Sequence, residues 1–218
     1  MRDQRIGVRQ KRGRRETARI PDLGYYIIIT DTEETEACFF QGLRQHLPRE
    51  LQDRLVIKVE RTSTSHLLEQ AEEVSAYEAQ YRKPWIVFDR DEVPMFDQII
   101  SDAAKRGIHV GWSNPCFEIW LYAYFGQMPV VGESTKCCRD FGAEFRNRVK
   151  RTYKKADPHL YESLLEKGDE ERAIAVAASK IEQHKRNGKE KPTEMCPATM
   201  VHVLVQEIRE KTKGRGGT

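Results

Sequence analysis

Trp85-Ile86-Val87-Phe88-Asp89-Arg90-Asp91-Glu92 is the stretch on which the reading of this chain turns. Four consecutive apolar residues, two of them β-branched, run directly into two carboxylates one residue apart. A short apolar run of this kind predicts a buried strand of a parallel sheet. In open α/β sheets the functional crevice lies beyond the carboxyl ends of the strands. Asp89 and Asp91 then stand at its rim, on the same side of the chain. Carboxylates held that close repel each other unless a cation or a shared proton relieves them. A hard divalent ion such as Mg²⁺ suits oxygen donors of this type. The competing reading is an acidic strand-to-helix turn in which Asp91 or Glu92 caps the next helix. The fragment alone supports both equally.

A second run repeats the pattern. Tyr25-Tyr26-Ile27-Ile28-Ile29-Thr30 ends in Asp31-Thr32-Glu33-Glu34-Thr35-Glu36, and Ala37, Phe39, Phe40 and Leu43 follow at helical spacing. Thr32 or Asp31 can cap that helix, and acidic residues in a first turn suit the helix macrodipole. Asp31 nevertheless leaves its strand directly, as Asp89 does. If the two strands are neighbours, Asp31, Asp89 and Asp91 converge. Strand-like runs at about 25–30, 55–60, 85–89 and 107–112 alternate with helical patterns at roughly 34–47, 64–81 and 94–106. Gly107 reads as a helix C-cap, because glycine tolerates the left-handed turn that ends a helix. This rhythm predicts an α/β fold with a mostly parallel, four-stranded sheet and right-handed crossovers.

Beyond the fourth strand, Ser113-Asn114-Pro115 opens a helix whose apolar positions are Phe117, Trp120, Leu121 and Tyr124. Asn114 ahead of a proline in the first turn reads as its N-cap. Glu118, one turn in, is either a helix-dipole glutamate or a fourth carboxylate facing the crevice. The strand rhythm then stops, and helical patterns cover 134–149, 169–184 and 198–211. We expect a basic arm (1–22), an α/β core (23–126), a helical section packed on that core (127–212) and a short tail (213–218). Arg146, Arg148, Lys150, Arg151, Tyr153, Lys154 and Lys155 form a basic run with one aromatic. It suits a nucleic-acid backbone and a stacked base, or the solvated face of a helix.

The 218 residues are 39% hydrophobic and one third charged, with a net charge of +3. That length buries a full core within one or two domains. No apolar run has the length of a membrane span, and no signal-peptide core is visible. The five cysteines are odd in number and lack Cys-x-x-Cys spacing, which argues for a reduced, cytoplasmic chain and against a zinc site. Cys137-Cys138 reads as two ordinary helix residues. Residues 1–20 hold eight basic residues against two acidic, and a segment of that composition binds phosphate backbones or simply solubilises the chain. There is no phosphate-binding loop for ATP, so any ATPase must be a separate protein. Phosphoryl or nucleotidyl transfer on a signalling nucleotide finds no glycine-rich loop to support it.

In order, the acidic exit with Thr35-Glu36, Phe88-Asp89-Arg90-Asp91-Glu92 and Ser113-Asn114-Pro115-Cys116-Phe117-Glu118-Ile119-Trp120-Leu121 resemble the RloB-like (AbiLii-like) family of bacterial defence and abortive-infection proteins. Tyr153-Lys154-Lys155 and Pro197-Ala198-Thr199-Met200-Val201 extend the resemblance across roughly residues 24–210. That family is similar to the Toprim domain of topoisomerases, primases and overcoming-lysogenization-defect nucleases. The resemblance implies a Toprim-like core and a Mg²⁺ ion, replaceable by Mn²⁺, on Asp89 and Asp91. It places Asp31 at the position of the first-strand glutamate that acts as general acid or base, where it also serves as a metal ligand. Glu36 and Glu118 complete the implied catalytic set. Arg90, Asn114, Tyr153, Lys154 and Lys155 are the implied nucleic-acid contacts, with RNA such as tRNA favoured over DNA. Nucleic acid, a separate AAA-type ATPase and a second copy of the chain are the implied partners.

The chain departs from the family pattern Glu-Gly-x-x-Thr-Glu by reading Asp31-Thr32-Glu33-Glu34-Thr35-Glu36. Aspartate is one methylene shorter, and a misplacement of about 1 Å can cost roughly a hundredfold in rate. Thr32 in place of glycine also removes close backbone access. Asp31 then works through a water or a second ligand, Glu33 or Glu36 takes over, or activity is weak. Two functions therefore compete: a Mg²⁺-dependent nuclease of anti-phage defence, and a catalytically weak Toprim-like module that serves the ATPase.

Overall fold

The computed structural model describes residues 24–31, 35–52, 55–76, 82–91 and 93–213. Their sheet has five strands, β1 (Gly24–Thr30), β2 (Leu55–Arg61), β3 (Arg82–Asp89), β4 (His109–Asn114) and β5 (Ala198–Thr199), in the order β2-β1-β3-β4-β5. The first four strands are parallel and β5 is antiparallel to β4. The helices are α1 (Thr35–Gln45), α2 (Arg49–Gln52), α3 (Leu67–Ala76), α4 (Phe96–Lys105), α5 (Glu118–Tyr124), α6 (Ser134–Val149), α7 (Leu160–Lys167), α8 (Glu170–Arg186) and α9 (Val201–Lys213). The fold is α/β, as the strand and helix rhythm predicts.

Alternation along β1 and β3 divides the core between two faces, because successive side chains of a strand point to opposite sides. Tyr26, Ile28, Trp85 and Val87 join Phe39, Phe40 and Leu43 of α1 in one cluster with Trp120, Phe141, Leu164, Ala177 and Leu204. Ile27, Ile29, Ile86 and Phe88 meet Leu67 and Ala71 of α3 and Phe96 and Ala103 of α4 on the other face. Both faces are covered, which is why these strands are continuously apolar. Every residue of α5 is buried, so this short helix runs through the interior and its polar end faces the sheet rim. Gly42 lets α1 approach α7 closely, since a β-carbon there would lie 2.5 Å from Cβ of Tyr161. Gly107, at φ +71, ends α4 as expected.

Three local expectations are corrected. The sheet has a fifth strand: Ala198 and Thr199, assigned from the sequence to the start of a helix, pair with Asn114 and Ser113, and α9 begins only at Val201. Helix α7 lacks a counterpart among the predicted elements. Asn114 is no helix cap, because β4 continues through it and α5 starts four residues later. The helical section therefore completes the sheet as well as covering it. No described helix is long and apolar enough to cross a membrane. The basic arm, Thr32, Glu33 and Glu92 lie outside the described residues.

Candidate functional site

From β1 the chain crosses to β2 on one side of the sheet and later to β3 on the other, so the sheet reverses its direction of growth between β1 and β3. Such a switch point opens a crevice at the carboxyl ends of the two strands. The acidic residues collect there because each occupies a strand exit or a first helical turn on the same edge. Asp31 follows β1, Glu36 is the second residue of α1, Asp89 ends β3, Asp91 lies in the turn after it, and Glu118 opens α5. Backbone bonds lock the neighbouring exits together: Arg90 N donates to Ser113 O over 2.9 Å, and Asp91 N donates to Pro115 O over 3.1 Å. Asp91 therefore serves the β3–β4 junction and does not cap α4, whose cap residue is Met95.

The electrostatics record the convergence. Burial raises the Asp89 carboxyl to about 8, and the charges of Glu36, Asp31, Glu118 and Asp91 push in the same direction. Burial likewise raises Asp31 to about 6, with a contribution from Asp91, against the lowering hydrogen bond from Thr64. That bond runs from the Thr64 hydroxyl to Asp31 Oδ2 over 3.1 Å, while Oδ1 is buried with no hydrogen-bond partner. Glu36 and Glu118 are both almost wholly buried. The Tyr153 hydroxyl donates to Glu118 Oε1 over 2.8 Å and lies 3.2 Å from Thr35 Oγ1. The amide of Phe117 approaches Asp89 Oδ2 at 3.4 Å. The donors are oxygens of the kind that suit a hard divalent cation, and one of them is orphaned in the interior. Among the described residues no three of these carboxylates bring ligand atoms within 4.8 Å of one another, so a cation would have to draw them together.

A second group adjoins the first. Cys116, Glu118 and Cys138 bring their ligand atoms within 4.8 Å of one another, and the two sulfurs are 3.8 Å apart. Spacing in the sequence concealed this, since residues 22 apart come together only when α6 packs beside α5.

The residues expected to contact nucleic acid separate into three situations. Asn114 is fully buried, and its Nδ2 donates to the carbonyls of Pro192 and Thr193 at 3.0 and 3.3 Å. It clamps the C-terminal section to the rim and cannot meet a nucleic acid. Tyr153 turns its phenol toward Glu118 and packs its ring on Phe141 and Phe145, so its contacts are internal. Arg90, Lys154 and Lys155 are exposed. Within the same basic run, Arg148 pairs with Glu144 and Arg151 with Asp157. Thr64, Cys116 and Cys138 carry no signal in the sequence that ties them to the carboxylates. Thr35 stood within the family-like motif without a role, and its place in the first turn of α1 supplies one.

The model of the RloB-like protein family matches residues 26–208, most of the chain. The chain belongs to the RloB-like family. The match runs from within β1 into α9 and takes in the acidic crevice and the C-terminal clamp of this RloB-like protein. No curated protein and no solved structure matches it.

Proposed function

We propose that this RloB-like protein hydrolyses phosphodiester bonds of nucleic acid in a defence role, using a divalent cation, Mg²⁺ or Mn²⁺, held by Asp31, Asp89 and Asp91. The observation that supports the reading is that Asp31, Glu36, Asp91 and Glu118 all act electrostatically on Asp89 at the carboxyl edge of β1 and β3, with Oδ1 of Asp31 buried and unpartnered. When bound, such an ion stabilises negative charge on the scissile phosphate and lowers the pKa of a bound water. Asp89, raised to about 8 by burial and by the neighbouring carboxylates, would give up its proton on coordinating a cation. Asp31, near 6 and oriented through Oδ2 by Thr64, is poised to take a proton from water around neutral pH. Glu36 and Glu118 extend the acidic set, and Tyr153 fixes the Glu118 carboxylate. Lys154 and Lys155, next to Tyr153 in the chain, offer positive charge for the phosphate backbone.

Cleavage of RNA and of DNA by the full chain, with Mg²⁺ present, tests this reading and distinguishes the substrates. We expect Asp89→Ala and Asp91→Ala to abolish cleavage and weaken Mg²⁺ binding measured by calorimetry. Cleavage and binding that survive in both variants would rule the scheme out. Mg²⁺ binding without cleavage in the wild type would leave the alternative, a module acting for a separate AAA-type ATPase.

A further inference from the structure

We propose that Cys116, Cys138 and Glu118 form a second cation site, selective for a thiophilic ion such as Zn²⁺. The inference is independent of whether the acidic crevice cleaves nucleic acid. Three potential ligand atoms lie within 4.8 Å of one another on two separate pieces of chain. Cys116 sits between β4 and α5, Glu118 opens α5, and Cys138 lies in the second turn of α6. The sulfur separation of 3.8 Å is the edge of a tetrahedron whose centre is about 2.3 Å from each sulfur, the usual zinc–thiolate length. A disulfide, by contrast, needs the sulfurs at roughly 2.05 Å.

The surroundings supply what such an ion needs. Cys116 and Glu118 are nearly inaccessible, so ligand exchange with solvent is restricted. Oε1 of Glu118 already accepts from Tyr153, the kind of outer hydrogen bond that orients a ligating carboxylate. Cys137, next to Cys138 in the chain, is a further fully buried thiol in the same helix. The sulfur donors separate this site from its neighbour, since thiolates select Zn²⁺ over Mg²⁺ and carboxylates suit Mg²⁺. Binding converts two thiols into thiolates and releases two protons to solvent, with no change of oxidation state. The bound ion would tie α6 to the β4–α5 junction and engage Glu118, which Tyr153 already holds.

The test uses the full-length chain, purified under reducing conditions and stripped of metal, then titrated with Co²⁺ and afterwards Zn²⁺. Co²⁺ should give thiolate-to-metal charge-transfer absorption that saturates at one equivalent and disappears when Zn²⁺ displaces it. Cys116→Ser and Cys138→Ser should each lose the band, whereas Cys38→Ser and Asp89→Asn keep it. Absence of the band in the wild type, or its survival in both cysteine variants, overturns the proposal. Zinc-edge X-ray absorption on unmodified protein removes any dependence on variants that fail to fold. Sulfur neighbours at about 2.3 Å are expected there, and a shell of nitrogen and oxygen alone overturns the site.

Discussion

The phenol of Tyr153 and the carboxylate of Glu118 are joined by a 2.8 Å hydrogen bond that couples the basic run to the acidic crevice. Tyr153→Phe removes this donor and keeps the ring on Phe141 and Phe145. Loss of an outer partner of this kind costs about 10- to 100-fold in metal affinity or activity. We expect the proposed nuclease activity to fall within that range with the melting temperature nearly unchanged. Kinetics at several Mg²⁺ concentrations, beside a thermal melt, check it.

Asp89 and Asp31 have folded-state pKa values of about 8 and about 6, above the ordinary 3.8. Between about pH 4 and 8 the folded chain thus holds protons that the unfolded chain has released, and metal-free stability falls as pH rises through this window. The loss is on the order of a few kcal/mol. Melting temperatures in a chelator should decline from pH 5 to pH 8, and Asp89→Asn should flatten the slope. At pH 8, Mg²⁺ at a hundred times its Kd restores about 2.7 kcal/mol. A flat wild-type profile would contradict the burial of these acids.

Asp31 departs from the family's glutamate, yet its Oδ2 is already held by Thr64. A site adapted to the shorter side chain is disturbed by lengthening it. Asp31→Glu is expected to lower kcat by about tenfold to a hundredfold, since misplacement by about 1 Å costs up to that much. Steady-state kinetics decide the matter. A gain in rate would mean that the natural site is the impaired one.

Asn114→Ala strips the amide that bridges the carbonyls of Pro192 and Thr193. Loss of a buried hydrogen-bonding partner costs about 1–3 kcal/mol. Denaturant unfolding should register this destabilisation. Affinity for the proposed nucleic-acid substrate, measured at a fixed salt concentration under conditions where the variant is folded, should stay the same. A selective loss of affinity would return Asn114 to the nucleic-acid surface.

The parallel sheet was legible because β1 and β3 are short apolar runs, and Asp31 and Asp89 mark their ends in the sequence itself. Adjacency of those strands brings Asp31, Asp89 and Asp91 to one edge, the place of Glu118 one turn into the next helix made it a candidate too, and the family resemblance added Glu36. Thr64 was hidden, because its tie to Asp31 depends on how the turn before α3 packs against the end of β1. Strand β5 was hidden for a different reason: two residues carry no alternation, and they pair only because β4 offers an edge. Asn114 was misread because Asn-Pro is a common helix opening, whereas here the strand runs on and the helix waits until Glu118. The sulfur pair escaped for want of local spacing.

The pairing of β4 with β5 also has a bearing on synthesis. Ser113 and Asn114 receive their last backbone partners from Thr199 and Ala198, and the Ser113 and Thr199 hydroxyls meet at 2.9 Å. On the ribosome, the crevice residues through Glu118 emerge well before that flank does. A nascent chain halted ahead of Pro192 carries all five carboxylates but lacks the strand and clamp that brace their rim. Competence of the crevice is therefore tied to the closing stage of translation, and a C-terminally shortened product would be a poor guide to the finished protein.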